Sequence, residues 1–196
     1  GTATFMILGN VCTRSCGFCG VKTGRPETVD WDEPEKVARS IKIMNIKHAV
    51  ITSVDRDDLK DGGSIIWMET VRAIRRMNPN TTLETLIPDF QGIERNIDRI
   101  VEANPEVVSH NMETVRRLTR EVRIQAKYDR SLEVLRYLKE KGINRTKSGI
   151  MLGLGETEEE VFQTMRDLKN ANVDVVTIGQ YLQPSKKHLP VKEFIT

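Results

Sequence analysis

Val11-Cys12-Thr13-Arg14-Ser15-Cys16-Gly17-Phe18-Cys19-Gly20 holds all three cysteines of the 196-residue chain, at the spacing C-x3-C-x2-C. An odd number of thiols packed this closely is no disulfide framework, because near neighbours close strained loops and one sulfur is left over. Three thiolates on a short, glycine-containing loop can instead reach three corners of a [4Fe–4S] cube and leave one iron without a protein ligand. A ferredoxin closes the fourth corner with another cysteine, and this chain has none to give. Two plainer readings compete. Structural cysteines would be scattered through core strands rather than gathered in a Gly/Arg/Ser loop. A zinc site would need His48, His110 or His188 to arrive from elsewhere. Clustered free thiols also argue for a reducing compartment.

Around this loop the chain alternates short β-branched runs with amphipathic stretches. Strands are expected at 4–8, 48–53, 82–86, 106–110, 146–152 and 174–179. The intervening helices present Val37, Ile41 and Met44, then Trp67, Val71 and Ile74, then Ile93, Ile97 and Ile100. Leu132, Leu135 and Leu138 mark a fourth helical face, and Val161, Met165 and Leu168 a fifth. Thr157 with Glu160 three residues on reads as a capping box opening that last helix. Six β units separated by helices imply an α/β fold with a parallel sheet and right-handed crossovers. Such a chain winds either as an open doubly wound sheet or as three-quarters of a barrel, and periodicity alone does not choose. In both, the chemistry belongs at the carboxyl ends of the strands.

The length suits one domain spanning residues 1–196, and the chain is 38% hydrophobic and 30% charged with a net charge of +2. That balance gives no reason to expect nucleic acid as a partner. No apolar run approaches the ~20 residues of a membrane helix, so no membrane role is expected.

The cysteine loop, with Phe18 just before the last cysteine, resembles the radical S-adenosylmethionine superfamily. The resemblance implies a partial (β/α)6 TIM-like barrel of six parallel strands rather than the open sheet. It also implies that S-adenosylmethionine chelates the open iron through its amino and carboxylate groups, and that one electron cleaves it to a 5′-deoxyadenosyl radical. Further stretches resemble the lipoyl synthase family: Ala3–Gly9, Thr52–Asp58, Glu84-Thr85, Pro88-Asp89-Phe90, His110-Asn111, Glu113-Thr114, Lys147–Thr157 and Thr177–Pro184.

That family resemblance implies a sulfurtransferase of lipoate biosynthesis, which inserts two sulfurs at C6 and C8 of an octanoyl-lysine. The substrate would be an octanoylated lipoyl carrier domain, from a 2-oxoacid dehydrogenase subunit or the glycine cleavage carrier protein. The electron would come from a donor such as ferredoxin or flavodoxin. The expected compartment is the cytoplasm, or the mitochondrial matrix if a transit peptide precedes Gly1. The family also holds an auxiliary [4Fe–4S] cluster, its sulfur donor, on N-terminal cysteines and a serine of a C-terminal motif. Neither motif lies within these 196 residues. The chain is therefore expected to be a core fragment that cannot ligate the auxiliary cluster and is competent for cleavage of S-adenosylmethionine only.

Cys12, Cys16 and Cys19 are accordingly the expected catalytic and cluster-binding residues. On strand five, Lys147, Gly149, Met151 and Gly153 share one parity and face the same way. The run from Gly149 to Glu156 resembles a superfamily adenine-binding motif in which Met151 packs on the purine. Lys147 would point into the barrel, where an anion must meet it: the cofactor carboxylate, Glu113 or the substrate. Asn111 and Glu113 follow strand four, placed for ribose hydroxyls. Thr52 and Ser53 end strand two, where many superfamily members carry Gly-Gly-Glu for the methionine amino group, and Asp55 is a looser candidate. Gln180 ends strand six near the adenine edge, and Phe18 completes the cofactor-binding set. Arg116, Arg117, Arg120, Arg123, Lys127 and Arg130 form a basic segment, either a solvated face or a dock for an acidic carrier, with Arg123 turned inward to the cofactor carboxylate.

Overall fold

A computed structural model describes residues 1–195. The chain runs β1 (Thr2–Ile7), β2 (Val11–Cys12), β3 (Lys22–Thr23), α1 (Glu33–Ile43), β4 (His48–Ser53), α2 (Ser64–Met77) and β5 (Thr82–Leu86). It continues through α3 (Glu94–Ala103), β6 (Val107–Ser109), α4 (Thr119–Val122), α5 (Tyr128–Glu140), β7 (Arg145–Leu152), α6 (Glu158–Asn170) and β8 (Val175–Gln180). All six long-range strands expected from the sequence form, each within two residues of its expected bounds.

The main sheet is wholly parallel, with strand order β1-β4-β5-β6-β7-β8. A doubly wound sheet reverses its order at a switch point, whereas here every crossover steps one strand the same way. That progression makes the arc of a barrel, and β1 and β8 are left as its two free edges. The cysteine loop adds a small parallel ribbon of β2 and β3, with Val11 opposite Lys22 and Cys12 opposite Thr23.

The core packs between sheet and helices. Trp67, Val71 and Ile74 are fully buried beside Ile51 and Leu83, and Leu135 and Leu138 are buried likewise on α5. The Thr157/Glu160 capping box opens α6 as expected. Three stripe residues behave otherwise. Met44 and Ile93 are exposed because they sit at helix ends, as the C-cap of α1 and the N-cap of α3. Met165 is also exposed, with Phe162 on the same helix and Val175 and Ile178 on β8, since no described helix follows β8 to cover that edge. Among the described residues no helix is long and apolar enough to cross a membrane.

Candidate functional site

The carboxyl ends of the strands and the loops beyond them enclose a cavity of about 290 Å³. Ten of the sequence-derived candidates line it: Cys12, Cys16, Cys19, Phe18, Thr52, Ser53, the looser candidate Asp55, Asn111, Glu113 and Arg123. Strand alternation points Thr52 inward. Ser53 also reaches the cavity, but its hydroxyl already accepts a hydrogen bond from Trp67 Nε1 at 3.2 Å.

The three thiols line one cavity, yet among the described residues no three His, Cys, Asp or Glu side chains close round a point fit for a single metal ion. The loop carrying them is pinned from outside, where Gly17 N–H donates to Val122 O at 2.9 Å and Gly24 N–H to Cys12 O at 3.0 Å, and from within, where Cys19 N–H donates to Cys16 O at 3.2 Å. Cys12 Sγ accepts from the backbone N–H groups of Arg14 and Asp55. Burial, with the negative charge of Asp55 behind it, pushes the Cys16 thiol up to about 12, and burial raises Cys12 as well. Metal charge is what would hold such thiols ionised.

Two clusters of charge flank the thiols, and the sequence reading missed one of them. Arg14, inside the cysteine loop and almost fully buried, donates through Nε to Asp57 at 2.7 Å and through Nη2 to Asp57 and Asp89 at 2.9 and 2.7 Å. Asp55 stands 3.3 Å from the same Nε. Burial alone would raise the Asp89 carboxyl, but the hydrogen bond and charge of Arg14 outweigh it and hold Asp89 at about 2. Asp55 has burial and its acidic neighbours against Arg14 and stays raised, at about 6. A lone arginine among the cysteines, with carboxylates clustered after two strands, was the available signal.

The second cluster surrounds Arg123, which is turned inward as expected and buried. Its Nη1 donates to Met112 O at 2.7 Å and its Nη2 to Ser131 Oγ at 3.1 Å. Burial raises the Glu113 carboxyl and the charge of Arg123 opposes that rise. Glu113 adopts a left-handed φ of 63°, sparsely populated by non-glycine residues, and its backbone bridges to β7. His110, fully enclosed, bonds Ile87 O and Ser131 Oγ, both at 2.9 Å.

Three candidates sit elsewhere. Met151 and Gln180 line an adjoining cleft that shares Asn111 and Glu113 with the main cavity. The Gln180 amide is engaged there, donating to Tyr181 O and Glu193 O and accepting from Ile195 N–H. Lys147 does point into the barrel, and the carboxylate it meets there is Glu84 rather than Glu113. Its Nζ lies 2.9 and 3.2 Å from the two carboxylate oxygens of Glu84, one layer below Leu86 of the cavity wall. Glu156, read as the end of an adenine motif, accepts from the N–H groups of Gly153 and Leu154 and so closes a turn.

The basic segment is mostly spent internally. Arg116 pairs with Asp129, Arg117 with Glu160 and Arg130 with Asp89, while Arg123 is buried. It is therefore not a continuous run of free cations. Only Arg120 and Lys127 of the six remain exposed without an ion pair among the described residues.

Residues 6–179 match the family model described as the Radical SAM superfamily. The chain is 98% identical over its 196 residues to "Lipoyl synthase" of Flavobacterium johnsoniae, covering 68% of that protein. It is 86% identical over 196 residues to "Lipoyl synthase, mitochondrial" of Nematostella vectensis, covering 67% of it. Among solved structures, the FeFe-hydrogenase maturase HydG from Carboxydothermus hydrogenoformans superposes with a TM-score of 0.77 at 17% identity, over 96% of this chain and 46% of that one. At that identity the likeness speaks for the fold alone.

Proposed function

The chain belongs to the radical S-adenosylmethionine superfamily and, within it, to the lipoyl synthases, and from that premise we propose which of its residues do the work. Cys12, Cys16 and Cys19 hold three irons of one [4Fe–4S] cluster and leave the fourth open to S-adenosylmethionine. Bound there, the cluster supplies the single electron that breaks a carbon–sulfur bond of S-adenosylmethionine.

The protein's part is binding and orientation. Arg123, with two of its nitrogens tied to Met112 and Ser131, offers its remaining donors and charge to the methionine carboxylate. Thr52, at the end of β4, takes the amino group, with Asp55 as the nearby carboxylate. Asn111 and Glu113 accept and donate to the ribose hydroxyls, and the strained Glu113 backbone fixes their approach. Phe18 and Met151, both partly buried against Val115, Leu118, Val122, Leu154 and Tyr181, give the purine its apolar wall. Lys147, paired with Glu84, and Gln180, bonded to Tyr181, Glu193 and Ile195, are structural.

Residues 1–196 act as one core domain. The substrate is an octanoylated lipoyl carrier domain of a 2-oxoacid dehydrogenase or of the glycine cleavage system, and a ferredoxin or flavodoxin donates the electron. The compartment is the cytoplasm or the mitochondrial matrix, and one relative is named as mitochondrial. No cysteine remains within these residues for a second cluster. On their own they are therefore competent for reductive cleavage and not for sulfur insertion.

The observation that carries this reading is the convergence of three thiols, Arg123, Asn111 and Glu113 on one cavity. Anaerobic reconstitution tests it. The loaded chain is expected to hold about four irons, to change its electron paramagnetic resonance spectrum on adding S-adenosylmethionine, and to release 5′-deoxyadenosine with dithionite. A spectrum indifferent to S-adenosylmethionine would overturn the open iron. Roughly eight tightly bound irons, or any lipoyl product from an octanoyl substrate, would overturn the limit to cleavage.

A further inference from the structure

The cysteine loop is framed on its solvent side by three segments. Residues 20–26 contain β3, the second strand of the ribbon, with Lys22 in register with Val11 and Gly24 N–H donating to Cys12 O. Residues 119–125 hold Gly17 through Val122 O, and Gln125 bonds Ser15. Residues 184–190 return to the same place, where Leu189 N–H donates to Gly17 O at 2.9 Å and Pro184 packs against Gly20.

These segments carry Lys22, Arg25, Arg120, Lys186 and Lys187, all exposed, against one exposed carboxylate, Glu121. None of the five takes part in an ion pair among the described residues. The acids nearest the loop, Asp55, Asp57 and Asp89, gather round Arg14. Exposed Ile124 lies on one of the framing segments, and exposed Leu182 just before another. Apolar residues among cations make a surface suited to a small acidic protein.

We propose that this face docks an acidic one-electron donor protein, an inference that rests on the cluster assignment above. None of the five cations lines the cavity, so a protein seated on them faces the back of the cysteine loop. An acyl carrier has to present its chain to the cavity itself, so this face fits an electron donor better than a carrier. In the step served, one electron leaves the donor, which is oxidised by one unit, and enters the cluster, which is reduced by one. No bond or proton moves. Opposite charge raises the encounter rate and fades with salt.

The test uses two charge-reversal variants, Lys22→Glu with Arg25→Glu and Lys186→Glu with Lys187→Glu, and a bacterial flavodoxin as the probe. Binding of flavodoxin to the unloaded and the cluster-loaded chain is measured at low and at physiological ionic strength. Each variant is expected to lose about tenfold in affinity at low salt and less at high salt. Flavodoxin-driven release of 5′-deoxyadenosine should fall in step, while the dithionite-driven rate stays at the parent value. Unchanged flavodoxin binding overturns the proposal. So does a dithionite-driven rate that falls equally, which would make the cations supports of the loop. Loss of affinity for an octanoylated carrier domain with flavodoxin binding intact would assign the face to the carrier instead. A parent chain that binds flavodoxin yet releases no 5′-deoxyadenosine with dithionite would sink the cluster assignment and leave the dock standing.

Discussion

Nη2 of Arg14 lies 2.7 Å from Oδ1 of Asp89, tying the cysteine loop to a carboxylate 75 residues further along the chain. Both groups are buried, and Asp57 and Asp55 close round the same guanidinium. The loop is thereby fastened to the ends of β4 and β5, the strands that supply Thr52 and Leu86 to the cavity.

Arg14→Ala would strand those carboxylates against one another. Breaking a buried ion pair by removing one partner costs about 3–5 kcal/mol. At roughly 2–4 °C per kcal/mol for a domain of this size, the unloaded protein should melt about 10 °C lower. Arg14→Lys keeps the charge without the fork and should fall between. Calorimetry on the three proteins checks this, and equal melting temperatures would show that the loop is held by its backbone bonds alone.

His110 should make stability depend on acid. Its Nδ1 faces Ile87 O and so carries the proton, leaving Nε2 to accept from the Ser131 hydroxyl. Burial first, and the charge of Arg123 second, hold the folded pKa down at about 4. The unfolded value is about 6.5, so between the two the unfolded chain binds the extra proton. The contribution is complete above about pH 6.5 and is lost as pH falls towards about 4, a change of about 3 kcal/mol. Urea unfolding near the two ends of that window should show a smaller acid loss in His110→Gln than in the parent. Parallel curves would mean that the imidazole is not kept neutral.

Lys147→Met separates a structural lysine from a cofactor-binding one. The ammonium and the Glu84 carboxylate are 29% and 12% exposed, and Ser109 Oγ donates to the same carboxylate at 2.7 Å. Losing the lysine should cost about 2 kcal/mol, below the figure for a fully buried pair because both groups keep some water. Lys147→Met with Glu84→Met should recover most of it, while the dissociation constant of S-adenosylmethionine stays within about twofold, since the pair sits a layer below the cavity. A tenfold weaker cofactor affinity with unchanged stability would return Lys147 to the cofactor.

Gly149→Ala tests how closely β7 approaches the nucleotide wall. A Cβ at Gly149 would come within 2.9 Å of Asn111 Oδ1 and 3.1 Å of Thr177 Oγ1. The Asn111 side chain can swing away, so the fold should survive with a loss of about 1 kcal/mol. The displaced amide should weaken S-adenosylmethionine binding about tenfold, with iron content unchanged. An unaltered affinity would remove Asn111 from the ribose contacts.

Much of this was legible in the residues themselves. The cysteine spacing pointed to a cluster with an open iron, and the cavity does gather Cys12, Cys16 and Cys19 with Arg123, Asn111 and Glu113. Periodicity located β4 and β5 to the residue, because alternation and the 3.6-residue stripe report which face of a local element is apolar. The Thr157/Glu160 cap was equally local and equally readable.

What the tertiary structure alone decided is partnership over distance. Parity sent Lys147 into the barrel, but its anion was set by register: Lys147 lies opposite Ser109, Ser109 opposite Leu86, and Glu84 stands one inward position below Leu86. Strand order likewise chose the barrel arc over the doubly wound sheet. The tie from Arg14 to Asp89, the engagement of Gln180 by residues 193–195 and the exposure of Met165 beside the open β8 edge all depend on which surfaces meet. A sequence period records how a segment divides its own faces, whereas the group opposite a charged side chain is fixed only when separate segments pack.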